Sequence, residues 1–220
     1  MKNIRAAVVR CSCLIVCWFV SSNIAMAQVA VTTYHNDNYR TGSNSQETLL
    51  TPSNVNVHSF GKRATFAVQG YVYAQPLYLP GLTIGGTSHN VVFIATEHDQ
   101  VYAFDVNSGQ QLWHTNFLAT TGFRYIISSV SSGDVGCGDL IPEIGITGTP
   151  VIDTSTGTMY LVAKTKVYDS VAHTTSFYQT LHALDIKTGL DKITPVQVTA
   201  TYPGTGTGSV GGILTFDPLV

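Results

Sequence analysis

Residues 91–109 read VVFIATEHDQVYAFDVNSG, and this stretch decides the fold. An apolar run over 91–96 and an alternating run over 100–105 flank the three polar residues Glu97-His98-Asp99. Short runs of β-branched and aromatic residues bounded by turn residues are typical of β-strands. The stretch therefore predicts two strands joined by a turn at 97–99.

The same pattern returns eighty residues later, where 159–164 read MYLVAK and 181–189 read LHALDIKTG. Both copies contain Ala-x-Asp-x-x-x-Gly, in which the aspartate can bond the turn backbone and the glycine can supply a positive φ. A proline opens another short strand upstream of each copy, at Pro76 and Pro150. Further strands are expected at 64–68, 158–164 and 179–185. A repeated strand-turn-strand unit favours a propeller over a single sandwich or barrel.

The first copy continues to a tryptophan, which completes the pattern Ala-x-Asp-x-x-x-Gly-x-x-x-Trp. This pattern resembles the repeat of the pyrroloquinoline-quinone-type propellers, in which the tryptophan docks between neighbouring blades. The second copy has Ile193 at the tryptophan position, which implies weaker or different docking. The repeat residues are Ala103, Asp105, Gly109 and Trp113 in the first copy, and Ala183, Asp185 and Gly189 in the second.

The chain is also similar to a group of exported bacterial propeller proteins, through NDNYR at 36–40 and PEIGITGTP at 142–150. The resemblance covers the chain from about Tyr34 onward. It implies an all-β fold, a partial β-propeller of four-stranded antiparallel blades. No activity is carried over from this group.

The spacing of the two copies predicts the domain organisation. A blade takes about 40 to 50 residues, so an insertion is expected between the copies. Propellers close with about four to eight blades, so we expect an open ring, and either a truncated product or a chain that completes itself with another chain. The expected segments are a signal peptide at 1–27, an N-terminal extended segment at 28–63, and a partial propeller at 64–220, with copies at about 64–117 and 146–200 and the insertion at about 118–145.

The N-terminal residues predict export. Lys2, Arg5 and Arg10 precede an apolar run over 11–20 and the triplet Ala25-Met26-Ala27, which is typical of a signal peptide. The run is shorter than the roughly 20 residues of a membrane span. We expect cleavage before Gln28, a periplasmic or extracellular protein, and no stable membrane span after cleavage.

Cleavage also sets the charge and the cysteine count of the mature protein. The leader holds three of the eleven basic residues and no acidic residue, so the formal net charge moves from -2 to -5. A nucleic-acid partner is therefore not expected, because it needs clustered Lys and Arg. Of the four cysteines only Cys137 lies outside the leader, which excludes an internal disulfide.

Quinone binding is one candidate chemistry. In the dehydrogenase members of the resembled family it needs a stacking tryptophan, calcium carboxylates and a catalytic aspartate from several blades. Trp113 is better explained as a docking residue, and the fold by itself establishes no cofactor. No cofactor and no catalytic residue are predicted, and pyrroloquinoline quinone and calcium are expected only in a full-length parent.

The acidic loop at 133–143 is a second candidate, because Asp134, Asp139 and Glu143 could supply oxygen ligands to calcium. The loop lacks the alternating spacing of a known calcium loop, so a turn-rich insertion is the favoured interpretation. Cys137 is interpreted as a buried or interchain cysteine rather than as a nucleophile.

Two other motifs are interpreted as ordinary structure. The turn Glu97-His98-Asp99 could hold a metal or perform acid-base chemistry, but its place between two strands favours a turn. Residues 206–211 read GTGSVG and formally satisfy the glycine fingerprint of dinucleotide-binding proteins. That fingerprint needs a following helix, and none is predicted here.

These observations favour an exported, non-catalytic propeller module that presents a protein- or glycan-binding surface. Its expected partners are a protein, a glycan, or another chain that pairs with the open blade edges. The alternatives are a fragment of a quinoprotein oxidoreductase and a nonfunctional truncated propeller.

Overall fold

The computed structural model describes residues 29–118 and 122–219. Within these residues, strands account for 41% and helix for 2%, and the sheets are antiparallel, so the fold is all-β. It is a partial β-propeller whose ring is not closed. The predicted signal peptide at 1–27 lies outside the described residues.

The first blade is a four-stranded antiparallel sheet in which each strand pairs with the next along the chain. The strands predicted at 91–96 and 100–105 are confirmed, and the turn between them is present at 97–99. The four strands are β1 (Leu77–Ile84), β2 (Thr87–Thr96), β3 (Gln100–Asp105) and β4 (Gln111–Asn116).

The segment between the two copies adds structure to the second blade. It contains β5 (Tyr125–Ser131), the short helix α1 (Ser132–Val135) and β6 (Glu143–Ile144). Helix α1 begins with a capping box. The Asp134 amide donates to the Ser131 hydroxyl, and the Ser131 amide donates to the Asp134 carboxylate. Strand β5 pairs with β6 and with a strand of the second blade, so this segment extends the blade.

The second blade consists of β7 (Val151–Asp153), β8 (Thr158–Asp169), β9 (Thr174–Asp185) and β10 (Val196–Gln197). Strand β7 pairs with the first three residues of β8, and β5 pairs with its last five. The strands predicted at 158–164 and 179–185 are confirmed, but both are longer than predicted because β8 and β9 pair over twelve residues. A two-stranded hairpin follows, formed by β11 (Thr201–Pro203) and β12 (Ile213–Thr215).

The strand predicted at 64–68 does not form, so this prediction was wrong. Phe66 and Val68 instead pack on the face of the first blade that carries Tyr102 and Phe104. The rings of Phe66 and Phe104 lie 5.0 Å apart, and the Gln69 amide donates to the Tyr102 hydroxyl at 3.1 Å. The apolar alternation at 64–68 therefore belongs to a segment that covers a sheet rather than to a strand within it.

One hydrophobic core joins the two blades. Side chains alternate between the two faces of a strand, so every second residue of each blade points into this core. Burying apolar area between sheets is the main favourable term in such packing. The larger core residues are Leu77, Val91, Phe93, Val101 and Trp113 from the first blade, and Ile152, Met159, Leu161, Leu184 and Ile186 from the second.

Trp113 of β4 crosses from the first blade to the second. Its indole is buried, and its Nε1–H donates to the Ile186 carbonyl at 2.9 Å. The neighbouring Thr115 hydroxyl donates to the Gly189 carbonyl at 2.6 Å. A Cβ on Gly189 would lie 2.5 Å from a carbon of the indole ring. The indole therefore packs directly on the Gly189 turn, and its one polar atom is satisfied.

The turns that follow β3 and β9 have the same local structure. The carboxylates of Asp105 and Asp185 each accept from the amide two residues later at 2.8 Å. The amides of Gly109 and Gly189 donate to the carbonyls of these aspartates, also at 2.8 Å. Both glycines have positive φ, at 77° and 72°. Ala103 and Ala183, each two residues before its aspartate, are both buried.

The N-terminal residues tie the first strands of both blades together. Val31 forms an antiparallel bridge with Tyr78 of β1, and the Ile152 amide of β7 donates to the Thr32 carbonyl at 2.8 Å. The following residues, 33–59, contain turns and bends. In the first of these turns, the Arg40 guanidinium donates to the Tyr34 carbonyl at 2.8 Å.

Gly189→Ala should destabilise the protein more than Gly109→Ala. Both substitutions place a Cβ at positive φ, which costs about 1–2 kcal/mol. Only the Gly189 substitution also forces a methyl group into Trp113, which adds about 1–3 kcal/mol of overpacking, whereas the Gly109 position is open. Urea unfolding of both variants measures the difference. Equal losses in the two variants would contradict the tight contact between Trp113 and the Gly189 turn.

Candidate functional site

Two acidic residues lie in the turn between β2 and β3, and both are fully buried. Glu97 and Asp99 have no exposed surface, although acidic residues are rarely buried without a partner. The Asp99 backbone has a φ of 49°, and its amide donates to the Thr96 carbonyl at 3.2 Å. The turn therefore holds two carboxyl groups inside the protein.

The segment at 143–149 covers this turn. The Gly145 amide and the Thr147 hydroxyl both donate to Glu97 Oε2, at 2.8 and 2.9 Å, and the Ile146 amide donates to the Thr96 carbonyl at 3.2 Å. A Cβ on Gly145 would collide with the Glu97 carbonyl oxygen and the Asp99 carboxyl group. Glycine is required here because the two backbones approach so closely.

A third carboxylate, Glu143, lies beside the turn. Its Oε2 accepts from the Ser129 hydroxyl at 2.6 Å and lies 2.7 Å from His98 Nδ1. The side chains of His98 and Glu143 remain 30% and 18% exposed, so this pair sits nearer to solvent than Glu97 and Asp99 do. The structure thus brings Glu143 to the turn that holds the buried acids.

Four buried oxygen atoms of the turn have no hydrogen-bond partner: Thr96 Oγ1, Glu97 Oε1, and both carboxyl oxygens of Asp99. Burial raises the pKa of Asp99 to about 9; the backbone amide of Lys164 opposes this rise, and the charges of Glu97 and Glu143 add to it. Burial also raises the pKa of Glu97, although its bonds to Gly145 and Thr147 oppose the rise. An unpartnered buried polar group is costly, typically by about 1–3 kcal/mol and more when it is charged.

The other acidic candidates from the sequence do not join this cluster. Asp134 caps helix α1 and pairs with Lys166 at 2.7 Å, contacts that lower its pKa to about 2. Asp139 is exposed, and Glu143 alone of the three reaches the turn. Within residues 29–118 and 122–219, no three His, Cys, Asp or Glu side chains are arranged as a metal site.

Two further sequence interpretations concern Cys137 and the glycine-rich run. Cys137 is a free cysteine and is exposed, so a buried cysteine is wrong and an interchain cysteine stays a prediction. It lies in the loop after α1, in which residues 136–139 are exposed. Residues 206–211 form the loop between β11 and β12, as predicted, with strand rather than helix on the far side.

The second blade has an exposed apolar face. Met159 and Leu161 of β8 point into the core, so the alternating residues Tyr160 and Val162 point to the opposite side. Cross-strand pairing continues this row from β7 through β10. We call this surface the outer face, and its members are Val151, Tyr160, Val162, Leu181 and Val196, each at least 38% exposed.

A cavity of about 680 Å³ adjoins the outer face. The sheet supplies one wall through Tyr160, Val162 and Leu181, and the 137–149 segment supplies another wall. The Lys164 side chain lines the cavity and donates to the Leu219 carbonyl at 2.8 Å. Burial lowers the pKa of Lys164, and the charge of Asp217 opposes this shift.

The sequence matches no protein-family model and no curated protein. Among the helices of the described residues, none has the length and apolar character needed to cross a membrane. The arrangement of the buried turn and the outer face therefore carries the functional argument.

Asp99→Asn should change how the stability of the metal-free protein depends on pH, and a chelator in the buffer keeps the protein free of metal. The folded-state pKa of Asp99 is about 9 and lies above its ordinary value of 3.8. Between these two values the unfolded chain releases a proton that the folded chain retains, so this group's stabilising contribution is present below about pH 4 and is lost as pH rises towards 9. The variant should lack this loss, so its Tm relative to wild type should rise by at least about 3 °C between pH 5 and pH 8.5.

Thermal unfolding followed by circular dichroism measures this difference. Asp139→Asn is the control, because it removes an exposed acid and leaves the buried turn intact. A constant difference between the Tm values of Asp99→Asn and wild type across this range would contradict the burial of an ionisable Asp99.

Proposed function

We propose that the chain is an exported, non-catalytic β-propeller module that binds protein through its outer face, and that the occupant of this face is a second copy of the chain. One observation carries the proposal. The outer face of the second blade is apolar, and each of its members keeps at least 38% of its surface exposed, whereas Ile94, Tyr102 and Phe104 on the solvent side of the first blade are buried with Phe66 and Val68 packed against them. Exposed contiguous apolar surface typically marks an interaction site.

The chemistry of the outer face favours a protein over a glycan. A glycan needs many hydrogen-bonding groups around an aromatic platform, whereas the outer face carries one tyrosine among aliphatic side chains. The polar neighbours Lys164 and Gln179 already donate to the carbonyls of Leu219 and Pro218. An apolar sheet surface packs well against another apolar sheet surface, at a separation of about 10 Å. The inner face of the same blade already packs in this way against the first blade.

A second copy is favoured because only one of the two blades has an exposed apolar face. The solvent side of the first blade, with Ile94, Tyr102 and Phe104, is covered by Phe66 and Val68, so a head-to-tail contact between copies would have to displace that segment. Two outer faces can instead meet across a two-fold axis, which is the commonest symmetry of soluble oligomers. Such a contact would also cover the edge of the cavity that Tyr160 and Leu181 line.

A non-catalytic role is supported by the burial of the two acids in the turn between β2 and β3. Glu97 and Asp99 have no exposed surface, so a substrate could not touch either carboxyl group without opening the turn. General acid-base catalysis needs the group within hydrogen-bond reach of the substrate. Burial of this kind suits a structural or ion-binding role better than a catalytic one.

Leu181→Lys should weaken self-association at least tenfold. The substitution places a charge at the centre of the outer face, and desolvating an unpaired charge costs several kcal/mol. Sedimentation equilibrium over a wide range of protein concentration measures the dimer constant. Wild type should show a concentration-dependent dimer, and Val162→Lys should behave like Leu181→Lys.

Val171→Lys is the matched control. Val171 is 68% exposed at the tip of the β8–β9 hairpin, outside the outer face, so its substitution should leave the dimer constant unchanged. Circular dichroism melting verifies that each variant is folded. A wild-type chain that stays monomeric at all concentrations would refute the second copy as occupant, and unchanged dimers of Leu181→Lys would refute the outer face as the contact.

A further inference from the structure

We propose that the turn at Thr96–Asp99 binds a hard divalent cation of the calcium type, inside the protein and apart from the outer face. The turn offers four buried oxygen atoms without a partner, from Thr96, Glu97 and Asp99. Buried polar groups in proteins are almost always satisfied, so four such atoms in one turn indicate a missing partner.

The hydrogen bonds that the turn makes do not involve these four oxygen atoms. Glu97 uses Oε2 for the Gly145 amide and the Thr147 hydroxyl, which leaves Oε1 unpaired. His98 cannot serve as the counter-charge for Asp99, because its Nδ1 is engaged with Glu143 at 2.7 Å. The segment at 143–149 thus closes over the turn and fixes Glu97. The two Asp99 oxygens have no hydrogen-bond partner, although the Lys164 backbone amide lies close enough to lower the pKa of Asp99.

A cation satisfies this turn better than protons do. Protonation of Asp99 would remove its charge, and the new O–H group could donate to another unpartnered oxygen, but the remaining lone pairs of the four atoms, Thr96 Oγ1 among them, would still lack a donor. A cation meets the charge and the free lone pairs together. Glu143 adds further negative charge close by, since its charge acts on both Glu97 and Asp99.

The donor atoms favour calcium over zinc or magnesium. All four are oxygens, whereas structural zinc prefers cysteine and histidine ligands. Magnesium requires near-ideal octahedral geometry, but calcium accepts six to eight oxygens in flexible arrangements and takes hydroxyls, backbone carbonyls and waters alongside carboxylates. Two carboxylates are therefore enough to anchor a calcium ion whose remaining ligands are of these other kinds.

The site differs from the acidic loop that the sequence suggested. Asp134 is committed to Ser131 and Lys166, and Asp139 is exposed. These two residues thus supply matched controls. Any calcium that binds through the loop will depend on Asp139, and calcium in the buried turn will depend on Asp99.

The experiment begins with removal of metal from the purified chain by unfolding and refolding in a chelator, which is then dialysed away. Calcium chloride is titrated into the refolded protein by isothermal titration calorimetry, and Tm is measured with calcium, with magnesium and with the chelator. Wild type should bind one calcium ion per chain, with a dissociation constant of about 10⁻⁶–10⁻³ M. Its Tm should rise with calcium more than with magnesium.

Variants then locate the ion. Asp99→Asn should lower calcium affinity at least tenfold, and Asp139→Asn should leave it unchanged. Thr96→Val keeps the shape of the side chain and removes one free oxygen, so it should weaken affinity several-fold, and it provides a second test if Asp99→Asn does not fold. No calcium uptake by wild type, with a Tm that calcium and chelator leave unchanged, would overturn the proposal. Equal affinity in wild type, Asp99→Asn and Thr96→Val would place the ion elsewhere and overturn it too.

Discussion

Burial of the Trp113 indole on the Gly189 turn sets the arrangement of the two blades. A four-stranded sheet has two faces, and neither blade can bury its apolar face without the other. The indole fills the space between β4 and the turn after β9, and its Nε1–H finds the Ile186 carbonyl, so no polar atom of the ring is lost. The N-terminal bridge at Val31 and the segment at 143–149 then contact both blades, and each depends on the blades being held at this distance.

The same packing forces the acidic turn into the interior. Gly145 approaches the Glu97 backbone so closely that no side chain fits, and this approach removes Asp99 from solvent. Burial of unpartnered carboxyl groups opposes folding, so the apolar core between the blades must offset it. An arrangement that only stabilised the interface would place apolar residues or asparagine at this turn. Retention of two acids there is easier to understand if an ion completes the site.

The sequence predicted most of the strands but little of the site. Alternation and turn residues locate β2, β3, β8 and β9, because these features depend on neighbours along the chain. The same alternation gave a wrong strand prediction at 64–68. It indicates that one side of the segment is apolar, but it does not indicate whether the segment is a strand of the sheet or packs on its surface. Burial of Asp99 follows from Gly145, forty-six residues away, and no local pattern reports that contact. The one local signal was two acids in a short turn between strongly apolar strands, where glycine or asparagine would have sufficed.

The two proposed surfaces meet in one short segment. Gly145 and Thr147 contact Glu97 on one side and line the cavity beside the outer face on the other. A cation that draws Glu97 towards Asp99 would act on the same two residues that shape the cavity wall. The outer face itself, with Leu181 and Val162, lies on β9 and β8, on the side of the sheet opposite to the core residues Met159 and Leu161. Substitutions at Leu181 therefore test the protein contact without touching the ion, and substitutions at Asp99 test the ion while leaving the apolar row in place.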